Sequence, residues 1–252
     1  MKVLGITGCD QKFLKYAQRV EFSFKYFHPD CDFLLCMAED YMPIFNKIFM
    51  PPCGWNQFTM MFTVFVAYWE MVSKHYDLVI RFDADTVITG KLEEMLIGDY
   101  DIAISNSSAN TIGNFPNAGV WSTTSAKFLS EFFFTNWMSC QPDNWVFDFV
   151  LKRSNWGKKW LDNENVWYNE RSRQWWDRLY VKEDKLYTPD REVKVLHWAS
   201  AMWGDAVIDN RMSCSLFTDE VKQWLNKITG TTTFTDYDGI KFGEFLKSYY
   251  KL

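Results

Sequence analysis

The chain has 252 residues, 48% of them hydrophobic and 19% aromatic, and a formal net charge of −5. That is enough apolar material for one sizeable core, and α/β chains of about 200–250 residues are commonly one domain. No Lys/Arg-rich stripe accompanies the acidic balance, so a nucleic-acid partner is not expected; a neutral, sugar-like partner fits better.

The N-terminus enters a short apolar strand directly, Lys2–Ile6, and soon turns too polar for a secretory signal. Thr7-Gly8-Cys9-Asp10 follows, then a helix from Phe13 to Phe27 that stops at His28-Pro29, because a residue before proline is driven out of the α region. Asp32–Met37 reads as the second strand, and the βαβ order implies a parallel sheet. After the turn Pro51-Pro52-Cys53-Gly54, the apolar residues of Trp55–Lys74 recur with helical period. The most apolar part of that helix, Phe58–Val72, carries Glu70 and is too short to cross a bilayer, so a soluble, cytoplasmic protein is expected.

Asp77–Phe82 is a nearly continuous apolar run, the pattern of a buried parallel strand, and it ends abruptly in Asp83-Ala84-Asp85. A short helix (Lys91–Leu96), a strand (Tyr100–Ser105) and a polar loop to Asn114 come next. Ala118–Ser122 reads as a strand, Ser125–Asn136 and Asn144–Arg153 as helices, and Val193–His197 as a late strand with His197 at its end. Amphipathic helices are expected at Asp219–Ile228, with Thr218 and Asp219 as capping residues, and at Gly239–Tyr250. The six cysteines form no C-x-x-C pair, which suits buried thiols rather than a zinc or disulfide framework. With no linker, repeat or low-complexity tract, residues 1–252 read as a single α/β domain with a mostly parallel central sheet flanked by helices.

In open α/β sheets ligands bind beyond the carboxyl ends of the strands. The strand-end groups here are Thr7–Asp10, Asp83-Ala84-Asp85, Ser105-Asn106 and His197. Two acidic groups ending the most apolar strand are costly to hold unless they are paired or hold a metal. Spaced i, i+2, they can converge through the following turn on one hard cation; oxygen ligands plus an imidazole suit Mn²⁺, with Mg²⁺ next. The plainer alternatives are turn-forming aspartates and a structural histidine.

The segment Asp77-Leu78-Val79-Ile80-Arg81-Phe82-Asp83-Ala84-Asp85-Thr86-Val87-Ile88 resembles the Asp-X-Asp segment of GT-A glycosyltransferases, in particular the glycogenin and lipopolysaccharide-galactosyltransferase group. Phe115-Pro116-Asn117-Ala118-Gly119-Val120 resembles that group's Asn-Ala/Ser-Gly segment beside the donor sugar. Gln141-Pro142-Asp143-Asn144 resembles its Asp-Gln segment, and His197 its late metal-binding histidine. The likeness covers about residues 1–205 and implies a GT-A domain: a nucleotide-sugar half (1–110), an acceptor half (111–205) and a helical tail (206–252).

The resemblance implies that Asp85 and His197 ligate the cation and that Asp83 contacts both metal and ribose. Thr7, Gly8 and Cys9 would flank the base, with Phe13 or Tyr16 stacking on it. Asn117, Ala118 and Gly119 would line the sugar, with Arg81 and Ala84 on the donor side, and Asp143 and Asn144 would serve catalysis. The group's late Gly and Lys are replaced by Ser200 and Trp203, so Arg81 or Arg211 would have to meet the diphosphate, and its Gln is Asn144. The implied partners are a UDP-sugar donor and a glycan or other hydroxyl acceptor, and the implied outcome is retention of configuration. The loop 106–116 and the Trp-rich stretch with Trp156, Trp160 and Trp167 are the expected acceptor surface. Two other classes fit parts of the pattern. In a haloacid-dehalogenase-like phosphatase Asp83 would be the nucleophile and Asp85 the general acid. A non-catalytic nucleotide-sugar-binding module would keep the fold alone.

Overall fold

The computed structural model of the protein describes residues 1–11, 13–38, 40, 55–97, 99–106, 116–139, 141, 143–162, 166–168, 177–197 and 217–230. Strand β1 (Val3–Cys9) is apolar and buried along most of its length. It extends beyond Lys2–Ile6 because β2 (Asp32–Met37) pairs with it in parallel as far as Cys9 opposite Met37. On its other side lies β3 (Leu78–Phe82), also parallel, with all five residues buried.

Next to β3 comes a strand of opposite direction. Besides β4 (Thr86–Ile88), the chain contributes β5 (Ile102–Asn106), β6 (Pro116–Thr123) and β7 (Lys158–Trp160). The six-stranded sheet has the order β2-β1-β3-β6-β5-β7, and β6 alone runs against the others. Side chains alternate across it, as the strand period requires. Val79, Ile102, Ile104 and Trp121 enter one core, while Leu78, Ile80, Ala103 and Val120 enter a second.

Helices cover both faces. On one side α1 (Leu14–Phe27) sends Val20 and Phe24 into the second core. On the other, α2 (Trp55–Lys74) packs in the first core together with two more helices, while α3 (Glu93–Leu96) is a single turn placing Met95 in the second core, on the α1 side. The covering pair are α4 (Ala126–Ser139) and α5 (Asp143–Arg153). Much of the aromatic content is used here: the Trp121 ring lies 5.9 Å from Phe128, 6.1 Å from Phe132 and 6.0 Å from Phe147. Among the described residues no helix is long and apolar enough to cross a membrane.

The expected late strand is two strands. A small sheet of order β8-β11-β10-β9 contains β8 (Val166–Trp167), β9 (Tyr180–Lys182), β10 (Lys185–Tyr187) and β11 (Glu192–Val193). The chain then leaves that sheet at Lys194, and β12 (Val195–His197) pairs antiparallel with β4. Lys194 is buried, bonded through Nζ to Glu93 (3.1 Å) and Glu192 (2.9 Å).

A third core, with Val87, Leu186 and Leu196, is covered by α6 (Asp219–Thr229). Thr218 caps α6 by accepting from the Val221 amide at 3.3 Å, and Gly230 ends it with φ 64°, a conformation that favours glycine. Asp184 ties this unit to α1, accepting from Tyr26 Oη (3.0 Å), Trp224 Nε1 (2.8 Å) and Lys227 Nζ (2.9 Å). The expected helix Gly239–Tyr250 lies outside the described residues.

His28, at the end of α1, is buried, and its Nε2 accepts from the Leu92 amide at 3.1 Å. Burial pushes its pKa down to about 4, against a smaller opposing pull from Glu93. A depressed histidine pKa means that the unfolded chain protonates first. The contribution is therefore complete above about pH 6.5 and is lost as pH falls toward 4. We expect this residue to withdraw on the order of 2 kcal/mol across that window. Urea melts of the wild type and His28→Gln should diverge in slope there; parallel profiles would show that His28 does not couple folding to protons.

Candidate active site

Phe82 completes β3, and the chain turns at once. The Thr86 amide and hydroxyl both donate to the Asp83 carbonyl, at 3.2 and 2.8 Å, closing a tight turn over Asp83-Ala84-Asp85. The turn feeds β4, where Thr86 stands opposite His197 in the ribbon with β12. That pairing delivers an imidazole from far along the chain to the two carboxylates. His197 Nε2 lies 3.2 Å from Asp85 Oδ1 and 3.6 Å from Asp83 Oδ2. One ligand atom from each of the three lies within 4.8 Å of the others; His197 is buried and the aspartates are half-buried.

The floor of this cluster is a bulge in β6. Between two register points, β5 advances from Ile104 to Asn106 while β6 covers Trp121 back to Pro116, so residues 117–120 hold surplus chain. Bulges of this kind re-aim strands beside functional sites. Each buried backbone group of the bulge must find a partner. The Ala118 amide donates to Asn144 Oδ1 (2.8 Å), and the Gly119 amide to Asn117 Oδ1 (2.7 Å). The Ala118 carbonyl accepts from Trp121 Nε1 (2.9 Å) and from Arg81 Nη1, and the Gly119 carbonyl from the Asp83 amide (2.7 Å). Gly119 lies where no side chain fits. A Cβ there would collide with Asp83 Oδ2 and stand 2.7 Å from Asn117 Oδ1 and 2.8 Å from His197 Cε1.

The remaining expected residues fall into distinct places. Thr7 is buried and its hydroxyl donates to the Phe82 carbonyl at 3.0 Å, so its side chain serves the β1–β3 pairing. Gly8 lies under α2, where a Cβ would collide with Thr63, and Cys9 is buried with Sγ 3.6 Å from Met37 Sδ. These three lie within β1 itself, because the strand continues past Ile6. Phe13 and Tyr16 sit together at the start of α1, ring centroids 6.0 Å apart, with Tyr16 buried. Ala84 is the half-buried middle of the turn. Arg81 is buried, its guanidinium on Asp83 Oδ1 (2.6 Å) rather than at the surface. Asn144 reaches the site as the partner of the Ala118 amide, and Asp143 is the first residue of α5. Arg211, Ser200 and Trp203 lie outside the described residues, as does 107–115 of the expected acceptor loop. Trp156 and Trp167 are packing residues: Trp156 donates to the Val150 carbonyl (3.1 Å), and Trp167 is buried beneath the Arg191 guanidinium at 4.1 Å. Trp160 is half-buried on β7 against the first core.

Two roles escaped the sequence reading. The Arg81–Asp83 pair was signalled by spacing, since residues two apart on a strand share a face, and by an arginine inside an otherwise apolar run. The tie between Asn144 and Ala118 joins α5 to β6 and has no local signature.

No protein-family model and no curated protein matches the sequence. Solved structures do. The glycosyltransferase GlyE of Streptococcus pneumoniae TIGR4 superposes with a TM-score of 0.53 at 15% identity, over 99% of this chain and 65% of GlyE. The fold is that of the GT-A glycosyltransferases. The chain thus spans just under two-thirds of GlyE's length. The galactosyltransferase LgtC, in complex with donor and acceptor sugar analogues, aligns over 92% of this chain and 97% of its own at 12% identity, with a TM-score of 0.48. A glycosyltransferase involved in glycosylating the major capsid of PBCV-1 aligns over 66% and 84%, at 12% identity and a TM-score of 0.47. In this GT-A fold the cluster sits at the carboxyl end of β3.

Gly119→Ala should therefore displace Asp83 or force the bulge apart, costing about 1–3 kcal/mol as overpacking does. Chemical denaturation measures this, and an alanine tolerated without cost would mean that the space beside Asp83 Oδ2 is not constrained.

Proposed function

We propose that this chain is a metal-dependent glycosyltransferase, moving a sugar from a nucleoside diphosphate sugar, UDP-linked, to a hydroxyl of a glycan or other acceptor. The observation that carries the reading is the convergence of Asp83, Asp85 and His197 within 4.8 Å of one another at a strand end of a GT-A fold. The donor set fits a divalent cation. Two carboxylates and one imidazole suit Mn²⁺ or Mg²⁺, and separations of 3.2 and 3.6 Å between ligand atoms suit neighbours on one ion.

In this reading Asp83, Asp85 and His197 hold the cation, which when bound stabilises negative charge on the departing diphosphate. Asn117, Ala118 and Gly119 hold the donor sugar against the cluster, and the absent side chain at Gly119 leaves room for it. The acceptor oxygen bonds to the anomeric carbon as the bond from that carbon to the phosphate oxygen breaks, releasing the nucleoside diphosphate. Retention follows when the acceptor approaches on the face the phosphate leaves, its proton passing to the departing phosphate oxygen. Positioning the acceptor is then the protein's main further contribution. Asn144, tied to the Ala118 amide, acts here through the bulge.

A thermal-shift panel of UDP-, GDP- and dTDP-sugars with and without Mn²⁺ tests the proposal. A ligand that binds only the native state stabilises it in proportion to ln(1 + [L]/Kd). The expected result is stabilisation by a UDP-sugar only with Mn²⁺, slow Mn²⁺-dependent release of UDP, and loss of the metal-dependent shift in Asp85→Ala. Absence of any nucleotide effect with metal present would sink the reading, and release of inorganic phosphate from small phosphoesters would favour the phosphatase.

A further inference from the structure

Arg81 is the charged member of the buried run Leu78–Phe82 and is only 5% exposed. Its guanidinium lies 2.6 Å from Asp83 Oδ1 and donates to the Ala118 carbonyl. The other oxygen of the same carboxylate, Oδ2, is the one that faces His197 Nε2 at 3.6 Å and abuts Gly119. The carboxylate is divided, one oxygen for the buried cation and one for the cluster. A guanidinium does not lose its proton in proteins, so this positive charge is a permanent part of the site.

We propose that Arg81 is a positioning residue that sets the charge balance of the cluster, weakening its hold on a bare divalent cation and strengthening the loaded site's hold on a diphosphate. The inference rests on the transferase reading above. Arg81 sets one permanent positive charge against Asp83, beside the residues that would ligate the cation. A divalent cation entering the site meets that charge as well as the carboxylates, and a diphosphate meets it as well as the cation. Replace the guanidinium with a neutral side chain and the site is one unit less positive, both toward the cation and, once loaded, toward the diphosphate. The charge that opposes cation entry is thus the charge that favours the diphosphate. It acts from beneath, through Asp83, without touching the ligand. At separations of several ångströms and an effective dielectric near 20, one unit charge changes affinity about tenfold or more.

The two effects have opposite signs, which separates a charge-setting role from a merely structural one. The test is calorimetric titration of the metal-free chain with Mn²⁺ alone, and of the Mn²⁺-saturated chain with UDP. Arg81→Met keeps length and removes charge; it should bind Mn²⁺ about tenfold more tightly and UDP about tenfold more weakly. Arg81→Lys keeps the charge and loses the fork; it should stay within about threefold of wild type in both titrations. Loss of both affinities in Arg81→Met, or no change in either, overturns the inference. Where Arg81→Met fails to fold, Arg81→Lys decides, since loss of both affinities there would show that geometry and not charge is the contribution. A wild-type chain that binds neither Mn²⁺ nor UDP removes the transferase reading and this inference together. One that binds both, with variants shifting in the same direction, removes the inference alone.

Discussion

Two carboxylates held close together at the mouth of an apolar strand repel each other, and the local structure is arranged around that repulsion. Arg81 meets Asp83 from within β3, and His197 reaches both aspartates from across a ribbon. The turn closed by Thr86 keeps Asp83 and Asp85 from diverging. These contacts set a buried guanidinium and an imidazole against the two carboxylates. In the proposed reading a divalent cation completes the balance, which ties the stability of the cluster to its occupancy.

The same constraint explains why the strand beside β3 is bulged and carries the small residues Ala118 and Gly119 there. Asp83 has its amide on the Gly119 carbonyl and its carboxylate against the Gly119 Cα, so β6 must approach closely there. Surplus chain in β6 makes that approach possible, at the expense of regular ladder bonds. Asn117, Asn144, Trp121 and Arg81 then supply the partners that regular pairing would have given. Asn144 therefore links α5, on the outside of the sheet, to the floor of the site. Movement of that helix would be felt at Ala118.

Bringing His197 into place is a matter of topology. The segment after β11 abandons the small sheet at Lys194, whose ammonium is held by Glu93 and Glu192 while its carbonyl accepts from the Thr89 amide at 2.8 Å. Only after that switch does β12 run beside β4 and set His197 opposite Thr86. The third core, covered by α6 and tied to α1 through Asp184, supports the ribbon from behind. Helix α6 thus packs in the same core as Val87 of β4 and Leu196 of β12, the strand that carries the histidine.

Much of the framework was legible in the chain itself. The limits of β2 and α2, the buried character of β3 and the acidic turn ending it follow from period, burial pattern and abrupt polarity, which are local properties of the sequence. The sequence also marked His197 as a strand-end group. It did not reveal β4, the split of the late strand at Lys194, the extension of β1 through Cys9, or the packing roles of Trp156 and Trp167. Those outcomes depend on which distant segment supplies a hydrogen-bond or packing partner, and no local pattern encodes the partner's identity. What the sequence by itself determined was a set of polar groups at the ends of apolar strands. That Asp83, Asp85 and His197 meet, with Arg81 beneath and Gly119 leaving space, was decided only when the β4–β12 ribbon and the β6 bulge closed around them.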